Sequence, residues 1–309
     1  MSQMTRVVVT GATGTIGQAI CHALTKRGDQ VLALSRNPTR ARSVLGTQVE
    51  VREWSDPIGV PPPGDALSGT GGVIHLMGEP VAQRWNETTK ERIHDSRVLS
   101  TRMLVDAVHA LPDTDRPLAL ISQSASGYYG PSDERELDED APAGSDFLAT
   151  VVRDWETEAR RADDVTRVVM TRTGVALTPA GGALAQMLPF FRAGVGGPVA
   201  GGRQYVPWVH LADVVAAVLF CLDQPRLRGP VNVGAPRPAT NAELSHALGR
   251  VLHRPAVLPV PALALRLLYG EMASIVTTGQ RVIPRRLSEA GFVFAHPELE
   301  SALRDVLEK

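Results

Sequence analysis

TGATGTIG, Thr10 to Gly17, stands between the apolar run Val7-Val8-Val9 and a segment of helical periodicity. An uncharged, β-branched run suits a central parallel strand buried on both faces. Ile16, Ala19, Ile20, Ala23 and Leu24 then recur at the spacing that lays one apolar stripe against a sheet. Between the two, Gly11 serves a tight turn that a side chain would block. Gly14 allows backbone to approach a phosphate, and Gly17 allows helix and strand to pack closely. Unpaired N–H groups and the helix dipole at the helix start favour an anion. Strand, glycine turn and helix in this order predict a dinucleotide pyrophosphate site contacted by Thr10, Gly11, Thr13, Gly14, Thr15, Ile16 and Gly17.

The next strand, Gln30 to Ser35, bears on which dinucleotide. Its end normally meets the adenosine ribose, where Asp or Glu would accept from the 2′-hydroxyl of NAD. The chain instead runs into Ser35, Arg36 and Asn37, with Arg40 and Arg42 close behind. A guanidinium is a permanently charged fork suited to phosphate oxygens. Ser35 and Arg36 therefore predict contact with a 2′-phosphate, and NADP in preference to NAD.

Working outward, strand signals at 6–10, 30–35, 49–54, 72–76, 118–122 and 167–171 alternate with helices. The clearest helix runs from Thr88, with a Thr88/Glu91 capping box, to Leu111; another spans 147–161. Such alternation predicts an α/β chain with a Rossmann-type doubly wound parallel sheet. After Thr173 glycines crowd around Pro198, as ligand-covering loops require. The expected division is a dinucleotide domain over 1–173, rejoined by 204–235, and a smaller C-terminal substrate lobe from 174–203 and 236–309.

The chain's 309 residues are 43% hydrophobic with no long apolar span, so neither core size nor composition calls for a membrane. A net charge of −1 argues against nucleic acid as partner. Cys21 and Cys221 have neither metal nor disulfide spacing, and the N-terminus enters a strand almost at once. A cytoplasmic protein with a small-molecule substrate is expected, with a homodimer left open. Lysine occurs only at 26, 90 and 309.

Further motifs follow in order: HLMGEP at His75–Pro80, SQSASGYYG at Ser122–Gly130, RTG at Arg172–Gly174, WVHLAD at Trp208–Asp213 and NVGAP at Asn232–Pro236. With GxxGxxG after Thr10, this series resembles the extended short-chain dehydrogenase/reductase superfamily. GGALAQMLPFFRAGVGGP (181–198), GRQYVPWVH (202–210) and HRPAVLPVPALALRLLYGEMA (253–273) are similar to its atypical branch of epimerase family proteins. The resemblance implies that Leu76, Met77, Gly78 and Arg172 also line the cofactor. It implies an oxidoreductase or epimerase acting on a hydroxyl or carbonyl carbon of a small, sugar-like substrate.

In that superfamily an Asn, a Ser and a TyrxxxLys pair carry the chemistry; the Lys lowers the Tyr pKa. By resemblance Ser124 takes the serine position, with Ser126 as neighbour, and Arg97 the Asn position. The helix FLATVVRDWETEA, Phe147 to Ala159, holds neither Tyr nor Lys, and no lysine follows a tyrosine by four residues. Two readings stay open. In one, Tyr128 or Tyr129 is acid/base beside Ser124, with Arg97, Arg153 or Arg172 supplying positive charge. In the other, the pocket binds NADP and a ligand as a redox sensor without turnover. His210 and Asp213 are read as organising a helix start.

Overall fold

The computed structural model describes residues 5–132 and 134–308. Seven strands form one sheet: β1 (Arg6–Thr10), β2 (Gln30–Ser35), β3 (Val49–Glu53), β4 (Gly72–His75), β5 (Ala119–Ala125), β6 (Arg167–Thr173) and β7 (Gly229–Val233). Their order is β7-β6-β5-β4-β1-β2-β3 and every pairing is parallel. Parallel strands need crossovers, and the helices between them cover both faces. The sheet is thus Rossmann-type and doubly wound, as the alternation of signals predicts.

Because successive side chains alternate, each strand feeds two cores. Val7, Val9, Ile74, Ile121 and Val169 pack with α1 (Thr15–Arg27) on one face. Val8, Leu32, Leu120 and Met170 pack on the other with α3 (Glu87–His109) and α4 (Phe147–Arg160). Between β2 and β3 lies α2 (Pro38–Leu45), capped by Asn37. Helix α6 (Leu211–Asp223) returns to the first face through Val214, Ala217, Val218 and Cys221. Both cysteines are buried, and desolvation pushes each thiol up to about 12.

A third core unites α5 (Gly182–Arg192), α7 (Asn241–Leu252) and α9 (Leu299–Leu307) around Leu184, Leu188, Phe191, Trp208, Leu248 and Leu303. Helix α8 (Ala262–Tyr269) belongs to the same C-terminal part but buries none of its residues. Leu287, Phe292 and Phe294, placed in the lobe by sequence, pack instead against the first face of the sheet.

Several boundaries differ for local reasons. Helix α3 starts at Glu87 because Asn86 accepts from the Thr89 N–H at 2.8 Å, so Asn86 rather than a Thr88/Glu91 box caps it. The true capping box is Thr240/Glu243 at the start of α7. Strand β5 runs on to Ala125 and β6 to Thr173, further than their apolar runs suggest. Helix α5 emerges from the glycine-rich stretch read as loop.

Candidate active site

The carboxyl ends of β1, β2, β4, β5 and β6 meet along one edge of the sheet, where open α/β folds bind ligands. Gly11 has φ +66, and a Cβ there would lie 2.6 Å from the Leu76 oxygen. A Cβ on Gly17 would stand 2.4 Å from the Gly11 oxygen and 2.7 Å from Ala12 Cα. These two positions admit only glycine. Gly14 is the exposed N-cap of α1, with no side-chain cap and no acidic residue in the first turn. Partly buried Thr13, Thr15 and Ile16 surround a helix start left open to an anion. The beginning of α5 closes on it, for a Cβ on Gly181 would come within 3.0 Å of Thr15 Oγ1.

Thr10 has another task. It is fully buried, its hydroxyl 2.8 Å from His75 Nδ1 and accepting from the Leu76 N–H at 3.2 Å. It fastens β1 to β4 beneath the site and makes no surface for a cofactor. His75, also fully buried, has its pKa pulled down by desolvation to about 3, so the ring is neutral. Leu76, Met77 and Gly78 follow at the rim, and Gly78 faces Arg97: a Cβ there would meet Arg97 Cζ at 2.9 Å.

At the end of β2, Ser35 and Asn37 bond to one another, and Asn37 caps α2 by accepting from the Arg40 N–H at 3.0 Å. Arg36 between them is exposed and, among the described residues, makes no ion pair or hydrogen bond through its side chain. Arg97 is partly buried. It donates to the Ile93 carbonyl at 2.9 Å and lies 5.5 Å over the Trp155 ring. Desolvation lowers its pKa to about 10 against the pull of Glu79, which leaves it charged at neutral pH.

The proton-handling end differs most from the sequence reading. Strand period directs Ser124 toward α4, where its hydroxyl, 1% exposed, donates to Glu156 Oε1 at 2.7 Å. Arg172, also 1% exposed, grips Glu156 through Nε at 2.7 Å and Nη2 at 2.8 Å. Burial lowers the Arg172 pKa, yet the Glu156 contacts outweigh it and hold the guanidinium above its ordinary value. Arg172 is therefore committed to an interior ion pair and is no cofactor contact in this arrangement.

Tyr129 is buried, donates to Asn232 Oδ1 at 2.6 Å and accepts from Arg172 at 3.1 Å. Desolvation lifts it to about 12 against the lowering by Arg172, a poor setting for an acid/base. Glu139 completes the interior group: its Oε1 accepts from the Asn232 N–H at 3.0 Å, and burial raises its pKa. Ser124 and Tyr129, both expected at the reacting centre, thus build the wall behind it.

Tyr128 and Ser126 remain. Tyr128 is partly buried, its ring 3.4 Å from Arg172 Cζ, and its hydroxyl has no partner among the described residues. Ser126 opens the turn Ser126–Tyr129, and its hydroxyl likewise lacks one. Opposite this turn α4 presents Leu148 and Val152, which a Cβ on Gly127 would meet at 3.5 and 3.9 Å. These two positions, four apart as in TyrxxxLys, are apolar. A cleft of about 510 Å³ opens at the same helix end, lined by Trp85, Phe147, Leu148, Arg266 and Glu271 among others. The Trp85 and Phe147 rings meet edge to face at 5.1 Å, and Lys90 bridges to Glu271 at 2.6 Å across the rim.

His210 and Asp213 are organisers, as read. Asp213 accepts from the N–H groups of Ala295 and His296 at 2.8 and 3.0 Å. His210 Nδ1 accepts from the Ala212 N–H, which caps α6. His210, His296 and Asp305 lie close enough to suggest a metal triad. However, an accepting Nδ1 puts the ring proton on Nε2, which faces Asp305 at 3.2 Å, so a metal would need an imidazolate there.

Glu156 escaped the sequence reading, although it sits in the apolar stripe of α4 with Val152, Trp155 and Ala159, where an acid needs a buried partner.

The model of the NAD dependent epimerase/dehydratase family matches residues 7–234, and that of a domain of unknown function matches 260–306. The chain belongs to the NAD dependent epimerase/dehydratase family. It is 38% identical over 314 residues to the chloroplastic SDR39U1 homologue of Arabidopsis thaliana, an epimerase family protein, covering 99% of this chain and 88% of that one. It is 41% identical over 301 residues to the epimerase family protein MT2273 of Mycobacterium tuberculosis, covering 96% of each. The crystal structure of the human epimerase family protein SDR39U1 with NADPH superposes with a TM-score of 0.88 at 35% identity, over 98% of this chain and 99% of that one. The branch read from the motifs is therefore correct. Among the described residues no helix is long and apolar enough to cross a membrane.

Proposed function

We propose that this member of the family binds NADP(H) in preference to NAD(H) and reduces a carbonyl carbon of a small substrate held in the cleft at the start of α4. One observation carries the preference: Arg36 stands exposed and unengaged at the end of β2, a strand that itself ends without the carboxylate that would accept from a ribose 2′-hydroxyl. The open helix start at Gly14 would hold the pyrophosphate, and Leu76, Met77 and Gly78 the far half of the cofactor. The NADPH of the human relative, in a similar fold, supports the same choice.

Bound NADPH would supply the hydride. Tyr128 would give its phenolic proton to the developing alkoxide as general acid. Arg97 would hold positive charge beside Gly78, and Ser126 would orient the substrate oxygen. Reduction is favoured over oxidation because Leu148 and Val152 provide nothing to deprotonate the phenol. Those same apolar positions favour a second reading, an NADP-binding redox sensor without turnover.

Calorimetry should show NADPH binding more tightly than NADH, and Arg36→Asp should reverse the order. The lost contact is charge-assisted and worth about 1.5–3 kcal/mol, roughly tenfold to a hundredfold. Equal affinities in the wild type would remove the assignment. Hydride transfer from stereospecifically deuterated NADPH to a carbonyl panel separates the two readings: transfer supports the reductase, and tight binding without transfer the sensor.

A further inference from the structure

Charge in this chain is segregated in a way its near-zero total conceals. No Asp or Glu occurs from residue 165 to 212, nor from 244 to 270. These stretches supply α5, most of α7 and α8, together with the loops that join them in the C-terminal part. They also carry much of the exposed apolar side-chain area: Phe190 is 56% exposed, Val257 71%, Leu263 68% and Leu267 72%.

The two stretches adjoin. Gly197 packs on the Leu258 backbone, Val199 bridges to Val260, and Arg254 donates to the Arg192 carbonyl. The segment from Val257 leads directly into α8, whose Leu263 and Leu267 lie one turn apart. Just before that segment in the chain, a depression of about 520 Å³ is lined by His246, Arg250, His253 and Arg254, of which Arg250 pairs with Glu300 at 2.8 Å. Exposed Arg192, Arg254 and Arg266 have no ion pair among the described residues.

We propose that this face docks on an anionic lipid bilayer, with Leu263, Leu267 and Val257 entering the acyl boundary and Arg254, with Arg192 and Arg266, meeting headgroup phosphates. Exposed leucines bordered by Arg192, Arg254 and Arg266, none of them in an ion pair among the described residues, have the chemistry of an interfacial amphipathic surface. A second copy of the chain fits poorly, since two-fold pairing of this face would set the unpaired Arg192, Arg254 and Arg266 against one another. The docking is peripheral and goes beyond the proposed reductase reading.

Vesicle flotation of the full chain tests it, with phosphatidylcholine alone and phosphatidylcholine containing phosphatidylglycerol. Wild type should float with the anionic vesicles, less at high salt, and hardly with the neutral ones. Leu263→Asp with Leu267→Asp should reduce binding about tenfold or more, and Arg254→Ala about fivefold, both with unchanged thermal unfolding. Absence of wild-type flotation overturns the proposal, as does binding indifferent to these substitutions. Inorganic phosphate that stabilises the wild type without any flotation would reduce the depression to a soluble-anion site. A wild-type dimer in light scattering that Leu267→Asp converts to monomer would assign the face to a second copy instead.

Discussion

The nucleotide end and the proton-handling end of the site share one sheet edge but are built from different materials. At the nucleotide end the decisive groups are backbone: Gly11, Gly14 and Gly17 act by what they lack, and their spacing survives in the sequence as a legible signature. At the other end the decisive groups are side chains that answer one another: Ser124, Glu156, Arg172, Tyr129, Asn232 and Glu139 form a buried polar group. A backbone site can be read from one strand and one turn. A side-chain network depends on which way each residue faces, and that is fixed only when several elements meet.

The sharpest way to break the comparison is Glu156→Ala. It would leave Arg172 charged and buried without its carboxylate, and deprive the Ser124 hydroxyl of its acceptor. A loss of about 3–5 kcal/mol in unfolding free energy is expected, measured by urea titration. Replacing the pair together, Glu156→Leu with Arg172→Met, should recover much of it, because matched apolar groups need no partner. If Glu156→Ala costs less than about 1 kcal/mol, the network is not a structural wall. NADPH affinity should change far less than stability, since neither residue touches the glycine turn.

This difference sets how far the sequence could be read. The sheet order follows from apolar runs and crossovers, and the three glycines from φ and close approach, all local properties. Ser124 turns inward for a local reason as well. Reading β5 to end at Ser122 leaves Ser124 in a loop at the ligand edge, whereas three further strand residues turn it toward α4. Arg172 follows the same rule on β6, which runs to Thr173. Polar residues at strand ends carry too little apolar signal to mark where pairing stops. Glu156 was legible only as an anomaly in an apolar stripe, with its partners 32 and 16 residues away.

His75 lies between the two ends and adds pH to the comparison. Its folded pKa, about 3, is below the ordinary 6.5 because burial disfavours the charged ring. Between those values the unfolded chain binds more protons than the folded one, so stability falls as pH falls from 6.5 toward 3. The slope approaches about 1.4 kcal/mol per pH unit, or roughly 2.7 kcal/mol by pH 4.5. Unfolding titrations should show this slope, and His75→Gln should flatten it while lowering stability near neutral pH. An equal slope in the variant would move the effect to the carboxylates.

The smallest expected change in stability separates the two adjacent tyrosines and decides which end of the turn does chemistry. Tyr129→Phe removes a buried hydroxyl that donates to Asn232 and accepts from Arg172, and should cost about 1–3 kcal/mol. Tyr128→Phe removes a hydroxyl with no partner among the described residues and keeps the ring over Arg172, so stability should stay within about 0.5 kcal/mol. Activity should invert that order. If Tyr128 donates the proton, Tyr128→Phe should slow hydride transfer from NADPH about a hundredfold with cofactor affinity retained, the size expected for a lost general acid. Tyr129→Phe should affect the rate only as far as it loosens the wall. Should both variants transfer hydride at the wild-type rate, the proton comes from elsewhere, and Ser126, also without a partner among the described residues, becomes the residue to replace.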